Sequence, residues 1–261
     1  MSRANSIPKT KGSSFQTALS NPELSSFAAG GGFRQYATAS VSGDKYYGAK
    51  ALINLWAPSV RPNEVSSSQL WVVGGSDSDT NVILAGWHGD NYESTGCYNL
   101  QCQGFVQTSN KFALGAPFPE LSNIDGLQVE FSVTIFKGQA GWFLQLNEFI
   151  LGYWPFSLFS SLNNNPASSI QWGGMVFNSQ IDGKESTTTQ MGSGQFPDEG
   201  IRRASYMRQL QIVDENFILR GLDSPTALAS QPNCYNIELA NDLNWGDYIL
   251  FGGPGRNPNC P

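Results

Sequence analysis

Hydrophobic and polar residues alternate along most of this chain in short runs, and turn-forming residues separate the runs. Over residues 127–135 every odd position is apolar, whereas the even positions from 128 to 134 are polar. This period of two predicts a strand with one buried face. Similar runs predict further strands at Ala49–Trp56, Ser68–Val73, Asn81–Trp87, Cys102–Gln107, Leu127–Lys137, Gly141–Leu146, Phe149–Trp154, Ser169–Phe177, Arg203–Val213 and Tyr248–Gly252.

Many short strands with turns between them predict an all-β fold, either an antiparallel β-sandwich or a barrel. The one predicted helix is a short turn at Pro155–Leu162. Residues 1–32 lack the alternation, are rich in Ser, Asn, Pro and Gly, and end in three glycines. We therefore predict an extended N-terminal arm or linker over residues 1–32 and one β-sandwich domain over residues 33–261.

Charge and hydropathy exclude several classes of partner. The net charge is −6 and no run of Lys or Arg occurs, so nucleic acid and anionic membranes are not expected partners. No apolar run approaches the roughly 18 residues that a membrane-spanning helix needs. The first twelve residues are polar and lack the apolar region of a signal peptide. This leaves two alternatives, a cytosolic protein or a chain whose leader is missing.

The four cysteines form two local pairs. Cys97 and Cys102 lie five residues apart, and Cys234 and Cys260 bracket the C-terminal segment. An even number in this arrangement predicts two disulfides and an oxidising compartment, and four free thiols in a cytosolic protein are the alternative. We predict no metal site and no cofactor, because the only histidine, His88, has no second ligand pair near it in sequence.

A set of segments in a fixed order carries a family resemblance. The most telling are Thr95–Cys102 (TGCYNLQC), Gly152–Pro155 (GYWP) and Thr189–Gly194 (TQMGSG). Together with further matches between about Tyr36 and Pro261, they resemble the neprosin family of secreted glutamic endopeptidases. The resemblance implies an antiparallel β-sandwich whose concave sheet forms a long cleft. It also implies secretion and the disulfides Cys97–Cys102 and Cys234–Cys260.

Neprosin-like peptidases cleave after proline with two glutamates, one as a general base and one as an acid. The resemblance places the first of these glutamates at Leu84, and the second at Gln171 or Met175. Leucine neither accepts nor delivers a proton, so we expect this chain not to be a peptidase. Gln171 keeps the ability to donate and accept hydrogen bonds.

The predicted site residues follow from strand parity and from the matching segments. Candidate catalytic residues are Gln171, His88 and Tyr206. Candidate substrate-binding residues are Gln69, Trp71, Leu84, Phe143, Gln145, Met175 and Gln190. Alternate residues of a strand face opposite sides of the sheet. We predict Trp87, Trp154 and Trp172 to lie in the core, because their positions alternate with those assigned to the cleft. Two alternatives stay open: His88 also fits an ordinary histidine at a strand end, and Trp71 also fits the core.

The lost acids make the predicted cleft more apolar, which suits a small molecule. The chain is similar to a fungal branch of this fold, the hetero-Diels–Alderases of tropolone–sesquiterpenoid biosynthesis. That resemblance implies an intermolecular cycloaddition of a tropolone quinone methide with a humulene-type macrocyclic sesquiterpene.

One alternative is an inactive peptidase homologue that binds proline-rich peptide or glycan, and another is a residual prolyl endopeptidase with a relocated acid. A glycosidase would need a pair of carboxylates, but the spacing of Glu93, Glu130, Asp198 and Glu199 in the sequence favours no particular pair.

Overall fold

The structure, a computed structural model, describes residues 14–20, 32–76, 79–89, 100, 104–179 and 183–261, and for residues 14–20 it describes the backbone alone. The strands are β1 (Ser14–Ser20), β2 (Phe33–Tyr46), β3 (Gly48–Asn54), β4 (Val65–Gly74), β5 (Asn81–Gly89), β6 (Val106–Gln107), β7 (Glu130–Lys137), β8 (Gly141–Leu146), β9 (Phe149–Pro155), β10 (Ala167–Asn178), β11 (Ser205–Val213), β12 (Leu219–Arg220), β13 (Thr226–Ala229), β14 (Asn236–Asp242) and β15 (Gly246–Gly252). In these described ranges, two short 3-10 helices occupy Phe156–Leu158 and Pro197–Glu199.

The strands form two antiparallel sheets that pack against each other. The six-stranded sheet has the order β1-β5-β4-β10-β2-β13. The nine-stranded sheet has the order β14-β15-β11-β3-β7-β8-β9-β6, with β12 paired to β11. The predicted all-β antiparallel sandwich is therefore confirmed.

The core lies between the sheets and contains the tryptophans that parity assigned to it. Trp87, Trp154 and Trp172 are all at most 1% exposed. An indole N–H needs a partner when it is buried. Trp87 Nε1 donates to the carbonyl oxygen of Asn54 at 2.9 Å, and Trp172 Nε1 donates to the carbonyl oxygen of Lys50 at 3.3 Å. Each bond ties the six-stranded sheet to β3 of the nine-stranded sheet, so these tryptophans also hold the two layers together.

Several strands were not predicted, and their composition explains why. β2 is the longest strand, yet its buried positions include Ala37, Thr38 and Ala39, which are too small to mark a hydrophobic stripe. β13 and β14 carry few buried side chains and were missed for the same reason. The predicted helix is only the three-residue turn Phe156–Leu158.

The boundaries of two predicted elements also changed. β7 begins at Glu130 rather than at Leu127, whose side chain is 53% exposed. Within the predicted arm, residues 14–20 pair with β5 as an edge strand of the six-stranded sheet. That part of the arm therefore belongs to the sheet, while the domain boundary at residue 33 stays a prediction.

One of the two expected disulfides lies within the described residues. Cys234 and Cys260 are bonded, which confirms this pair. Cys97 and Cys102 lie outside the described residues, as does most of the Thr95–Cys102 segment. Across the described ranges, no helix is long and apolar enough to cross a membrane.

The Cys234–Cys260 bond should stabilise the fold, because it joins residues 26 apart in sequence and so restricts the unfolded chain. A closed loop of this size contributes about 3 kcal/mol in the chain-entropy description. We expect Cys234→Ala/Cys260→Ala to lower the free energy of unfolding by about that amount in urea titrations. With reductant in both samples, so that any other disulfide is also open, wild type and double variant should unfold at the same urea concentration. If the double variant unfolds at the wild-type midpoint without reductant, the role of this bond is refuted.

Candidate functional site

The candidate site lies on the six-stranded sheet, on the face that points away from the core. Residues directly opposite each other on paired strands point to the same face. The register of β5, β4 and β10 therefore defines three rows on that face. We call these nine positions the outer patch: His88, Ser67 and Met175 in the first row, Gly86, Gln69 and Gly173 in the second, and Leu84, Trp71 and Gln171 in the third.

The outer patch contains an apolar cluster that is separate from the main core. Trp71 and Leu84 are each 8% exposed, and Met175 packs against them together with Val73 and Val82. Leu84 and Gln171 flank Trp71 in one row, so two strand spacings, about 10 Å, separate their Cα atoms. The side chain of Trp71 stands between the two positions where the resemblance expects acids.

The polar members of the outer patch are neutral amides, a hydroxyl and an imidazole. Gln69 is 2% exposed, Gln171 is partly buried, and His88 is 2% exposed. The Ser67 hydroxyl donates to the backbone carbonyl oxygen of Met175 at 3.4 Å. None of the nine positions carries a carboxylate. The described residues also contain no cluster of His, Cys, Asp and Glu able to hold a metal ion.

Phe143 and Gln145 are not in the outer patch. Both lie on β8, which belongs to the nine-stranded sheet. The Phe143 ring stacks between those of Phe136 and Tyr153, with centroids 5.6 and 5.2 Å away. This stack of aromatic side chains crosses three neighbouring strands and supports the sheet itself. The structure therefore does not bring Phe143 or Gln145 together with Gln69 and Trp71.

Tyr206 also lies on the nine-stranded sheet, where other groups engage its hydroxyl. Tyr206 donates to Glu130 Oε2 at 3.0 Å, and Arg208 Nε donates to the same oxygen at 2.8 Å. The ring of Trp245 lies 4.6 Å from that of Tyr206. Burial, followed by the negative charge of Glu130, raises the pKa of the Tyr206 phenol well above its ordinary value. Tyr206 is thus not part of a catalytic group with Gln171 and His88.

Gln190 is held in a loop near the start of β4. Its side-chain oxygen accepts the backbone N–H of Ser59 at 2.9 Å. The neighbouring Thr189 hydroxyl donates to Glu64, which is 1% exposed and also accepts from the hydroxyls of Thr187 and Ser179. Sequence reasoning missed this Glu64 cluster, because no motif marks a lone glutamate before a strand. It fixes the Thr189–Gly194 segment against the sheet.

Two glycines of the outer patch were also missed. Gly86 and Gly173 flank Gln69 in the middle row. Glycines inside strands often mark a close backbone approach, and that was the available indication.

A comparison with protein-family models matches residues 62–254 to the family described as Neprosin, which is well over half of the 261 residues. The chain belongs to the Neprosin family. The match includes β4, β5 and β10, and so it covers every position of the outer patch. Membership of this family indicates a peptidase-like β-sandwich domain, and the family is one of enzymes.

The Glu64 cluster should contribute strongly to stability, because a buried hydroxyl without its acceptor is costly. We expect Glu64→Leu to lower the free energy of unfolding by about 3 kcal/mol, since it leaves several buried donors unpaired. Glu199→Gln is the matched control, because Glu199 pairs with Arg203 at an exposed site and its loss should cost less than about 1 kcal/mol. Urea titrations of both variants measure this, and equal losses would contradict the assigned role.

The raised pKa of Tyr206 predicts a loss of stability in alkali. Above pH 10 the unfolded phenol ionises while the folded phenol keeps its proton, so stability falls as pH rises. This contribution amounts to at most about 1.4 kcal/mol per pH unit. Tyr206→Phe has no phenol and so lacks this pH-dependent contribution. The difference in free energy of unfolding between wild type and variant should therefore narrow from pH 9 to pH 10.5 in urea titrations. A gap that stays constant or widens would contradict the prediction.

Proposed function

We propose that this protein is a non-hydrolytic enzyme that binds apolar small molecules at the outer patch. We propose further that its reaction is the hetero-Diels–Alder cycloaddition of a tropolone quinone methide with a humulene-type macrocyclic sesquiterpene. The observation that carries the proposal is the make-up of the patch. Leu84, Trp71 and Met175 form an apolar cluster there, and none of its nine positions carries a carboxylate.

Peptide hydrolysis through two glutamates needs two carboxyl groups that face one cleft. The family resemblance assigns those positions to Leu84 and to Gln171 or Met175, none of which ionises. Within the described residues, Glu64 and Asp214 are the buried carboxylates and Glu130 is half-buried. Hydroxyl, backbone N–H or guanidinium donors engage all three. These contacts argue against a peptidase and support chemistry that needs no general base.

Shielding from solvent supports a small molecule over an extended polymer. A groove that binds proline-rich peptide or glycan presents exposed aromatic side chains. Trp71 is only 8% exposed, and its neighbour Gln69 is 2% exposed. A shielded apolar surface with a few amide groups is the usual character of a small-molecule site.

The cycloaddition requires orientation more than proton transfer. The quinone methide supplies four π electrons over C=C–C=O and the alkene supplies two, and one C–C and one C–O bond form without a leaving group. Holding both partners in the reactive geometry contributes up to about 7 to 11 kcal/mol. In this proposal the apolar cluster holds the alkene. Gln171 in the third row and His88 in the first row donate hydrogen bonds to tropolone oxygens, which makes the heterodiene more electron-poor.

The disulfide bears on where the reaction takes place. A bonded Cys234–Cys260 pair is typical of an oxidising compartment. We therefore assign the protein to the secretory pathway or the extracellular space as part of the same proposal.

The test is incubation of the protein with a tropolone quinone-methide precursor and α-humulene. We expect faster adduct formation and a single stereoisomer compared with buffer. Leu84→Glu should reduce the rate at least about 10-fold, because a carboxylate placed in the apolar cluster is costly to desolvate. Leu228→Glu is the matched control, since Leu228 is 64% exposed at the edge of the same sheet and should react like wild type.

Other outcomes favour the alternatives. If adduct yield and stereochemistry equal those of buffer, the cycloaddition is wrong. Cleavage of a proline-containing peptide at acidic pH would then indicate a residual endopeptidase. A thermal shift with proline-rich peptide or glycan, without acceleration of any reaction, would indicate a binding module.

A further inference from the structure

A cavity of about 370 Å³ lies at one edge of the sandwich, apart from the outer patch. Its walls come from β2 of one sheet, from β11 and β12 of the other, and from the loop that follows β12. Its floor consists of Val41, Tyr46 and Ile212, which are at most 5% exposed and belong to the main core. The volume is in the range of small-molecule sites. Because the outer patch points away from the core, the cavity is a separate site.

An irregularity in β2 brings Asp44 to the rim of this cavity. Three residues of β2 separate Ser42 from Tyr46, whereas one residue of β10 separates their partners, Ser169 and Ala167. The extra residues of β2 bulge out of the ladder, and a bulge redirects the side chains that it carries. Gly43 within it has a φ angle of +92°, which residues with a side chain rarely adopt.

Asp223 reaches the same rim from the loop between β12 and β13. β13 begins at Thr226, which pairs with Ser40 of the antiparallel β2. The residues just before Thr226 therefore run beside the residues that follow Ser40. Ser224 also lines the cavity, and its hydroxyl donates to Asp223 Oδ1 at 3.2 Å. Two carboxylates from distant parts of the sequence thus face one cavity.

No cationic side chain neutralises these two carboxylates. Within the described residues, Asp44 and Asp223 form no ion pair, and Asp44 accepts the backbone N–H of Lys45 at 2.7 Å. Arg220 also lines the cavity, but its Nε donates to Asp214 Oδ2 at 2.9 Å, which offsets its charge. The rim therefore carries an excess of negative charge next to an apolar floor.

Tyr46 places a phenol between the floor and the rim. Burial, followed by the negative charge of Asp44, raises the pKa of this phenol, a backbone hydrogen bond at Asp44 opposes the rise in part, and the charge of Asp223 adds to it. Both carboxylates thus act on the same hydroxyl. In the part of the chain that the structure describes, no side chain forms a hydrogen bond with it. A primary ammonium group has a positive charge and three N–H donors, which suit two carboxylates and a phenol oxygen.

We propose that this cavity binds a small primary ammonium compound, with its charged group between Asp44 and Asp223 and its apolar body against Val41 and Ile212. The site does not depend on the proposed cycloaddition, because it shares no residue with the outer patch.

Titration with benzylamine and benzyl alcohol, followed by ligand-observed NMR at pH 7, tests this assignment. The two compounds have the same ring and nearly the same size, but only benzylamine is cationic. We expect wild type to bind benzylamine at least about fivefold more tightly than benzyl alcohol. Asp44→Asn/Asp223→Asn should weaken benzylamine binding at least about fivefold, because it removes both charges and keeps the side-chain shape. Benzyl alcohol binding should change less than about twofold.

Glu148→Gln/Asp198→Asn is the matched control, because both residues are exposed, lie outside the cavity lining and remove the same total charge. Thermal unfolding of each variant checks that the fold is kept. Equal benzylamine affinity in wild type and the cavity variant would overturn the inference, and so would equal losses in the cavity and control variants. It would also be overturned if wild type bound neither compound or bound both equally. A loss of benzylamine binding confined to the cavity variant would support the site, even if the cycloaddition assay failed.

Discussion

The register between β4 and its two neighbours is the constraint on which the whole site depends. Side chains of a strand alternate between its faces, so a slip of one residue would exchange the two faces completely. Leu70, Trp172 and Ile83 would then leave the core, and Trp71, Gln171 and Leu84 would enter it. One strand register therefore determines both the core face and the outer patch, and neither face can change without the other.

Several local features hold that register. The indole of Trp172 is bonded to the backbone of the opposite sheet, which fixes β10 in depth and along the strand. Gly86 and Gly173 allow the backbones of neighbouring strands to approach so closely that no Cβ would fit. A shifted pairing would bring side chains into these contacts. Gly86 and Gly173 therefore help to secure the alignment of the strands that carry the outer patch.

An apolar cluster on the outer face is unusual for an antiparallel sheet. Such a sheet commonly buries one face and leaves the other polar. Here Leu84 and Trp71 are shielded although the core lies on the opposite face. They form a cluster separate from the main core. Their presence therefore points to a role of the outer face itself, which is why the functional argument begins there.

Strand parity proved a strong predictor of faces and a poor predictor of neighbours. It correctly sent Trp87, Trp154 and Trp172 to the core, because period-two alternation is a local property of the chain. It could not show that Phe143 and Tyr206, which the family resemblance grouped with Trp71, lie on strands of the other sheet. Which strands pair is decided by packing between distant segments, and alternation carries no information about it. β2 escaped prediction for a different reason, since two of its core positions are the small residues Ala37 and Ala39.

Within the described residues, the buried acid Glu64 and the half-buried acid Glu130 are engaged by other groups outside the nine positions of the outer patch. Glu64 is buried, but the hydroxyls of Thr187 and Thr189 occupy its oxygens and make it a structural anchor. Glu130 is half-buried, but Arg208 and Tyr206 bind it on the other sheet. A general acid or base needs a proton that it can exchange with substrate, and neither carboxylate meets that condition at the patch. What remains there is a surface of indole, thioether, alkyl, amide, hydroxyl and imidazole groups without a carboxylate at any of the nine positions. Such a surface can select and orient a molecule, and for a reaction that breaks no bond to hydrogen, orientation is the contribution that matters most.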